Sequence, residues 1–175
     1  KDCFECYDTS NADECRYCTW FVDGKRSLDI YAWGEMEFCY EISGGGDKMY
    51  QCAFSAMSFG CSNSYYLDHC AYCNDCFACI GLKHKRYCIL NKQYTKEAYE
   101  ALVPKVIETM TQFGEWGEFL DPSFSPYGYN ESVAQEYYPL TKEQAIKRGF
   151  TWSNFIAPTP TVGELVQANT LPPAS

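Results

Sequence analysis

The sequence predicts a mainly β protein: a short-coil, β-helix-like β-solenoid lined by cysteine, with a C-terminal helical cap and an aromatic extended strap. Three observations carry that expectation. In a series of short segments a small or apolar residue recurs three positions on. Stretches rich in Gly, Asn, Asp and Ser separate those segments. The composition also breaks near Tyr94, with all 12 cysteines between Cys3 and Cys88 and all 8 prolines beyond Val103.

The segments run in order along the chain. They are "CFECY" from Cys3, "CRYCT" from Cys15, "SLDIY" from Ser27, "MEFCY" from Met36, "MYQCA" from Met49, "CFACI" from Cys76 and "KRYCI" from Lys85. The slot three positions on holds Cys6, Cys18, Ile30, Cys39, Cys52, Cys79 and Cys88, and the long gap before Cys79 fits a further rung near "SYYLD" from Ser64. An isoleucine in a cysteine slot suits a buried stack and does not suit a metal site, which cannot exchange thiolate for hydrocarbon. The intervening "SNAD", "VDGK", "SGGGD" and "CSNS" have the chemistry of tight turns and left-handed backbone. Short strands so punctuated read as solenoid rungs, and two rungs are expected to make a coil of about 20 to 24 residues.

The same cysteines allow a metal. Cys3, Cys6, Cys15 and Cys18 are two C-x-x-C pairs, close to zinc-site spacing. Cys70, Cys73, Cys76 and Cys79 form C-x2-C-x2-C-x2-C, near an iron-sulfur ligand run but without its three-residue last gap and following proline. These eight residues are the candidate metal ligands, for zinc or an iron-sulfur cluster, and disulfide pairing is the remaining alternative. The stack is favoured because it also accounts for Ser27, Ile30, Met36 and Met49, so no cofactor is expected.

Beyond Tyr94 the pattern turns helical. Thr95 is an N-cap, and Tyr99, Leu102, Val103, Val106, Ile107 and Met110 form one apolar face. Pro104 falls inside that face and predicts a kink or a split near Val103. The helix is expected to cap the C-terminal end of the stack, covering strand edges that recruit other chains when bare. A second helix is signalled by Thr141 with Gln144 as a capping box and Gly149 as the stop. The Gly-, Pro- and aromatic-rich stretch between them reads as a surface strap held by Trp116, Phe119, Phe124, Tyr127 and Tyr129.

A formal net charge of -9 disfavours direct nucleic-acid binding, which depends on basic groups releasing counterions. "LKHKR" from Leu82 is the only basic cluster, and it reads as a solvated turn. No apolar run is long enough to span a membrane. With no visible leader and so many cysteines, the expected setting is reducing and cytoplasmic. Only His69 and His84 are available as neutral-pH bases. Cys70 beside a histidine is a conceivable nucleophile, but no catalytic residue is assigned. "SGGGD" lacks the lysine and the strand-to-helix context of a phosphate loop.

The stretch "FACIGLKHKRYCILNKQYTKEAYEALVPKVIETM", followed by "SPYGYNESVAQEYYPLTKEQAIKRGF", resembles uncharacterised cysteine-rich proteins of candidate-phyla bacteria. The resemblance covers nearly the whole chain. It implies an internal segment of a longer polypeptide that also carries zinc-ribbon-like modules, with paired cysteines beside basic residues. The expected organisation is residues 1–94 as the solenoid and residues 95–175 as cap, strap and linker. The expected role is a non-enzymatic scaffold or protein-binding module whose partner is another protein or the flanking modules. A metal-binding or redox protein is the alternative.

Overall fold

The computed structural model describes residues 1–119, 121–155 and 158. The chain divides into two compact units, residues 1–120 and residues 121–175. The solenoid expectation holds for the first: parallel coils stack from Phe4 to Ile89. Its strands are β1 (Arg16–Thr19), β2 (Gly24–Lys25), β3 (Leu28–Tyr31), β4 (Met36–Glu37), β5 (Tyr40–Gly46), β6 (Met49–Phe59), β7 (Ser62–Tyr65), β8 (Asn74–Phe77), β9 (Arg86–Ile89) and β10 (Lys92–Gln93). The rung expected near Ser64 is β7.

Coil length departs from expectation. Arg16 pairs with Leu28, Leu28 with Tyr40, Ala53 with Tyr65, Tyr65 with Phe77 and Phe77 with Ile89, so a coil is 12 residues. One step is 13, from Tyr40 to Ala53. The chain manages so short a circuit because one residue in three is left-handed: Asp2, Glu5, Asp8, Asn11, Glu14, Tyr17, Trp20 and Asp23 all have φ between 48° and 62°. Each such residue turns a corner, and four three-residue sides close a coil. An αL corner costs a non-glycine residue roughly 1 kcal/mol, and the inter-coil ladder offsets it. The amide of Phe4 donates to Cys15 O at 3.0 Å and that of Tyr17 to Phe4 O at 3.0 Å, a pattern repeated up the stack.

The residue after each corner points inward. Cys15, Cys18, Phe21, Ile30, Met36, Cys39, Ile42, Met49, Cys52, Cys61, Leu67, Cys70, Cys73, Cys76, Cys79 and Cys88 make one continuous core, each at most 2 % exposed. The expected single cysteine slot therefore merges two columns. Cys6, Cys18 and Ile30 stack on one side, and Cys39, Cys52 and Cys88 on the neighbouring one, since register links residues 12 or 13 apart.

Large inward residues are matched by small ones beside them. A Cβ placed on Gly24 would stand 1.8 Å from the ring of Phe21, which is fully buried in the next slot of the same coil. Gly24→Ala should therefore destabilise the protein by about 3 kcal/mol, the upper range for core overpacking. A second change, Phe21→Leu, should recover part of the loss. Equal urea midpoints for parent and Gly24→Ala would contradict this packing.

Helix α1 (Lys96–Phe113) starts at Thr95, whose hydroxyl accepts from Ala98 N at 3.2 Å, and ends at Gly114 with φ 72°. It is one helix, not two. Pro104 lies inside it, and the roughly 3 kcal/mol penalty for an interior proline is offset by docking on both sides of it. Leu102, Val103, Val106, Ile107 and Met110 all pack against the coils, around Ala53, Phe54, Tyr66, Phe77 and Ile89.

Those partners come from successive coils, so α1 lies along a flank of the stack instead of over its end. The following turn is pinned there too. Trp116 meets Phe54, Tyr65, Tyr66 and Phe77 at ring separations of 5.6 to 6.3 Å, and the Tyr66 hydroxyl donates to Glu115 O at 3.2 Å. The end of the stack is met by β10, which folds back antiparallel on β9. Asn91 completes it, its side chain bonding both backbone groups of Ile80 at 2.8 and 2.9 Å as a further coil would.

In the second unit, α2 (Val133–Tyr137) and α3 (Lys142–Lys147) join two 3-10 turns, Pro122–Phe124 and Tyr129–Glu131. The stretch read as an extended strap is thus partly helical from Asp121 onward. The Thr141–Gln144 capping box forms as expected, and Gly149 follows the helix end with φ 85°. The expected linker ending "NTLPPAS" lies outside the described residues.

Candidate functional site

The cysteines have backbone work. In a coil of this register an inward amide has no backbone carbonyl opposite it, and an inward side chain supplies the acceptor. Cys39 N donates to Ser27 Oγ at 3.2 Å, Leu67 N to Ser55 Oγ at 3.1 Å, Cys70 N to Ser58 Oγ at 3.2 Å and Cys73 N to Cys61 Sγ at 3.4 Å. The same side chains give their hydrogen to the carbonyl two residues back. Ser58 Oγ reaches Ala56 O at 2.9 Å, Cys15 Sγ Asp13 O at 3.2 Å and Cys18 Sγ Arg16 O at 3.2 Å. Cysteine and serine are interchangeable here because each is a small side chain with one hydrogen to give and lone pairs to accept.

Of the residues singled out as candidate ligands, Cys3 is exposed and Cys6 half-buried in the first coil, and Cys15 and Cys18 are buried in the second. Cys70, Cys73, Cys76 and Cys79 occupy four consecutive inward slots, reached around left-handed corners at His69, Tyr72, Asp75 and Ala78. Among the described residues no three of His, Cys, Asp and Glu form a group that could hold a metal ion. All twelve cysteines are unpaired. Burial pushes the Cys70 thiol up to about 11, and His69 turns to Asp68 with Nδ1 2.7 Å from Oδ1, so the two make no nucleophile and base. His84 stacks on Tyr72 at 5.2 Å.

Outside the core, one corner column changes character along the stack. It reads Glu5, Tyr17, Asp29, Glu41, Phe54, Tyr66 and Ala78, acidic in the early coils and apolar where α1 and Trp116 cover it. The early coils keep large apolar groups in solvent nonetheless: Tyr17, Trp20, Tyr31 and Trp33 are 49 %, 59 %, 58 % and 76 % exposed, and Trp20 stacks on Tyr31 at 6.2 Å. Acidity alone means little here, because Asp and Asn tolerate the αL corners the fold demands. Exposed aromatics need another reason.

Beside that column lies a cavity of about 430 Å³. Tyr17 and Tyr31 flank it, Asp29 and Glu41 border it, the chain at Ile30 and Ile42, whose side chains point into the core, runs behind it, and Phe119 reaches it from the segment after α1. The Tyr40 hydroxyl donates to Glu41 Oε1 at 3.1 Å. Glu41 Oε2 is fully buried and has no hydrogen-bond partner. None of the ion pairs among the described residues involves Asp29 or Glu41.

A cavity of about 500 Å³ in the second unit is larger, but its polar groups serve the unit itself. Tyr129 donates to Tyr138 O at 2.6 Å and Thr151 Oγ1 to Tyr127 O at 2.8 Å.

The sequence alone gives no role to Tyr17, Asp29, Tyr31 or Glu41. Their signal is the spacing of 12 from Tyr17 to Asp29 to Glu41, visible only once the coil length is known. No protein-family model and no curated protein matches the chain.

Proposed function

We propose that the early coils are a protein-docking module whose aromatic and acidic flank takes a basic segment of another protein or of a flanking module of the same polypeptide. One observation carries this. The side that α1 covers over the later coils is bare over the earlier ones, where the exposed Tyr17 stands at its corner beside Asp29 and Glu41, which no ion pair among the described residues engages, with Tyr31 and Trp20 exposed on the adjoining side. Aromatic side chains of low conformational entropy set among charges of one sign are the chemistry of a recognition surface for the opposite sign. The net charge of -9 supports a basic partner and argues against nucleic acid. Twelve unpaired thiols support a reducing, cytoplasmic setting. No helix among the described residues is long and apolar enough to cross a membrane.

The test is fluorescence anisotropy with a labelled dodecapeptide of alternating lysine and alanine. Binding should saturate, weaken with salt, and fall at least tenfold in the Tyr17→Ala, Tyr31→Ala double variant. An aspartate-alanine peptide that binds equally well, or a double variant indistinguishable from the parent, would overturn the reading.

A further inference from the structure

We infer that the cavity at Tyr17, Tyr31 and Phe119 is a receptor for the primary ammonium of a lysine side chain, with Glu41 as its counter-ion. The inference rests on the docking role proposed above and names what the flank grips. Its first support is the Glu41 carboxylate itself. One oxygen is held by Tyr40, while Oε2 is shut away from water with no donor near it. Burying a carboxylate oxygen unpartnered is costly, and a turn of the Glu41 side chain that brings Oε2 to a cation's N–H group at the cavity would remove that cost.

The second support is what surrounds the oxygen. Tyr17, Tyr31 and Phe119 line the same cavity, and aromatic faces attract organic cations through the ring quadrupole, more strongly once water is displaced. Asp29, exposed and without an ion pair among the described residues, adds a second negative charge twelve residues before Glu41 on the same column.

These features select among cations. A hydrated metal ion would face aromatic rings on several sides, whereas an alkylammonium lays its methylene stem against the rings of Tyr17, Tyr31 and Phe119 and presents its charged head to the carboxylate. A quaternary ammonium has no N–H for Oε2. A guanidinium presents a flat fork suited to both oxygens of one carboxylate, and Tyr40 already holds Oε1. The primary ammonium is the head that meets the single free oxygen.

The experiment is an NMR titration of the isotope-labelled full chain with n-butylammonium chloride, with tetramethylammonium, n-propylguanidinium and sodium chlorides as parallel arms. Butylammonium should give saturable shifts centred on Tyr17, Asp29, Tyr31 and Glu41. The other two organic cations should bind at least threefold more weakly, and sodium should produce only small, unsaturating changes. Glu41→Gln should weaken butylammonium at least tenfold, as loss of a charge-assisted contact does. Tyr31→Ala, an exposed position whose change should not endanger folding, should weaken it severalfold. Glu5→Gln, on the same column outside the cavity, should change nothing.

Equal responses to butylammonium and sodium, or unchanged binding in both Glu41→Gln and Tyr31→Ala, would overturn the inference. Stronger binding of tetramethylammonium or propylguanidinium than of butylammonium would overturn the choice of a primary ammonium. If the lysine dodecapeptide binds Glu41→Gln as well as the parent, the receptor is wrong and the docking flank stands. If butylammonium binds as expected and the peptide does not bind at all, the flank reading fails and the receptor stands.

Discussion

Cys70→Asp should leave the chain unfolded, whereas Cys70→Ser should fold at a cost of about 1 kcal/mol. Cys70 is 1 % exposed, and its sulfur lies 3.5 Å from Asp68 O and 3.3 Å from Cys79 O. A carboxylate there has no hydrogen to give and would turn negative charge toward two carbonyl oxygens. With no cation to pair it, the penalty is several kcal/mol, about the size of a small domain's whole stability. Serine is a different case, because one coil earlier Ser58 already holds the same slot, donating to the carbonyl two residues back as Cys70 does and accepting from Cys70 N. Cys70→Val, which keeps bulk and loses both bonds, should cost about 1 to 2 kcal/mol. Far-ultraviolet circular dichroism and urea titration under reducing conditions check the series. A folded aspartate variant would remove the hydrogen-bonding account, and a serine variant that unfolds while releasing a bound metal would favour the metal-binding alternative.

Raising the pH should unfold the solenoid steeply between about pH 9 and pH 12 in the absence of any oxidant. Burial drives the cause. It pushes the thiols of Cys18 and Cys61 up to about 12 and those of Cys39 and Cys70 up to about 11, from an ordinary 9.0. Cys52 is raised for the same reason, as are the hydroxyls of Tyr65, Tyr66 and Tyr99. A group whose folded pKa lies above its unfolded one contributes stability that is complete below the unfolded value and vanishes as pH passes the folded value. In that interval the unfolded chain sheds protons that the folded chain keeps, and many sites act together. Cys79 works the other way, lowered by its hydrogen bond with Cys76, but it is one site against several. Urea midpoints should be level from pH 7 to 8 and then fall, with a slope corresponding to several protons. A midpoint unchanged at pH 10.5 would mean that the inward thiols are already deprotonated.

How much of this was legible in the sequence depends on which period is meant. The period of three is written in the residues, because every inward slot needs a side chain small enough for the axis and able to serve the backbone. That requirement is why Cys and Ser alternate with a few aliphatic residues at Ser27, Ile30, Cys39 and Ile42. The period of twelve is not written there. A pattern that repeats every three residues superposes on itself after any multiple of three, so the expected 20 to 24 residues satisfied it as well as 12 does. Coil closure is decided by the number of left-handed corners in one circuit, and the pairing of Arg16 with Leu28 and of Leu28 with Tyr40 fixes that number at four.

The helix shows the same division. Its apolar face from Tyr99 to Met110 and its Thr95 cap were evident from spacing alone, because both are local properties. Its unbroken passage through Pro104 and its position along the flank were not. They depend on Phe54, Tyr66 and Phe77 rising as one apolar column once the coils are stacked. The candidate site is wholly of the second kind. Tyr17, Asp29 and Glu41 become neighbours only through the twelve-residue register, and Phe119 joins them only because α1 carries the chain back along the stack. The sequence by itself determined what faces inward, since that is dictated by volume and hydrogen-bonding capacity residue by residue. Tertiary structure alone decided what meets on the outside, since surface neighbours here are set by coil closure and by where the helix docks.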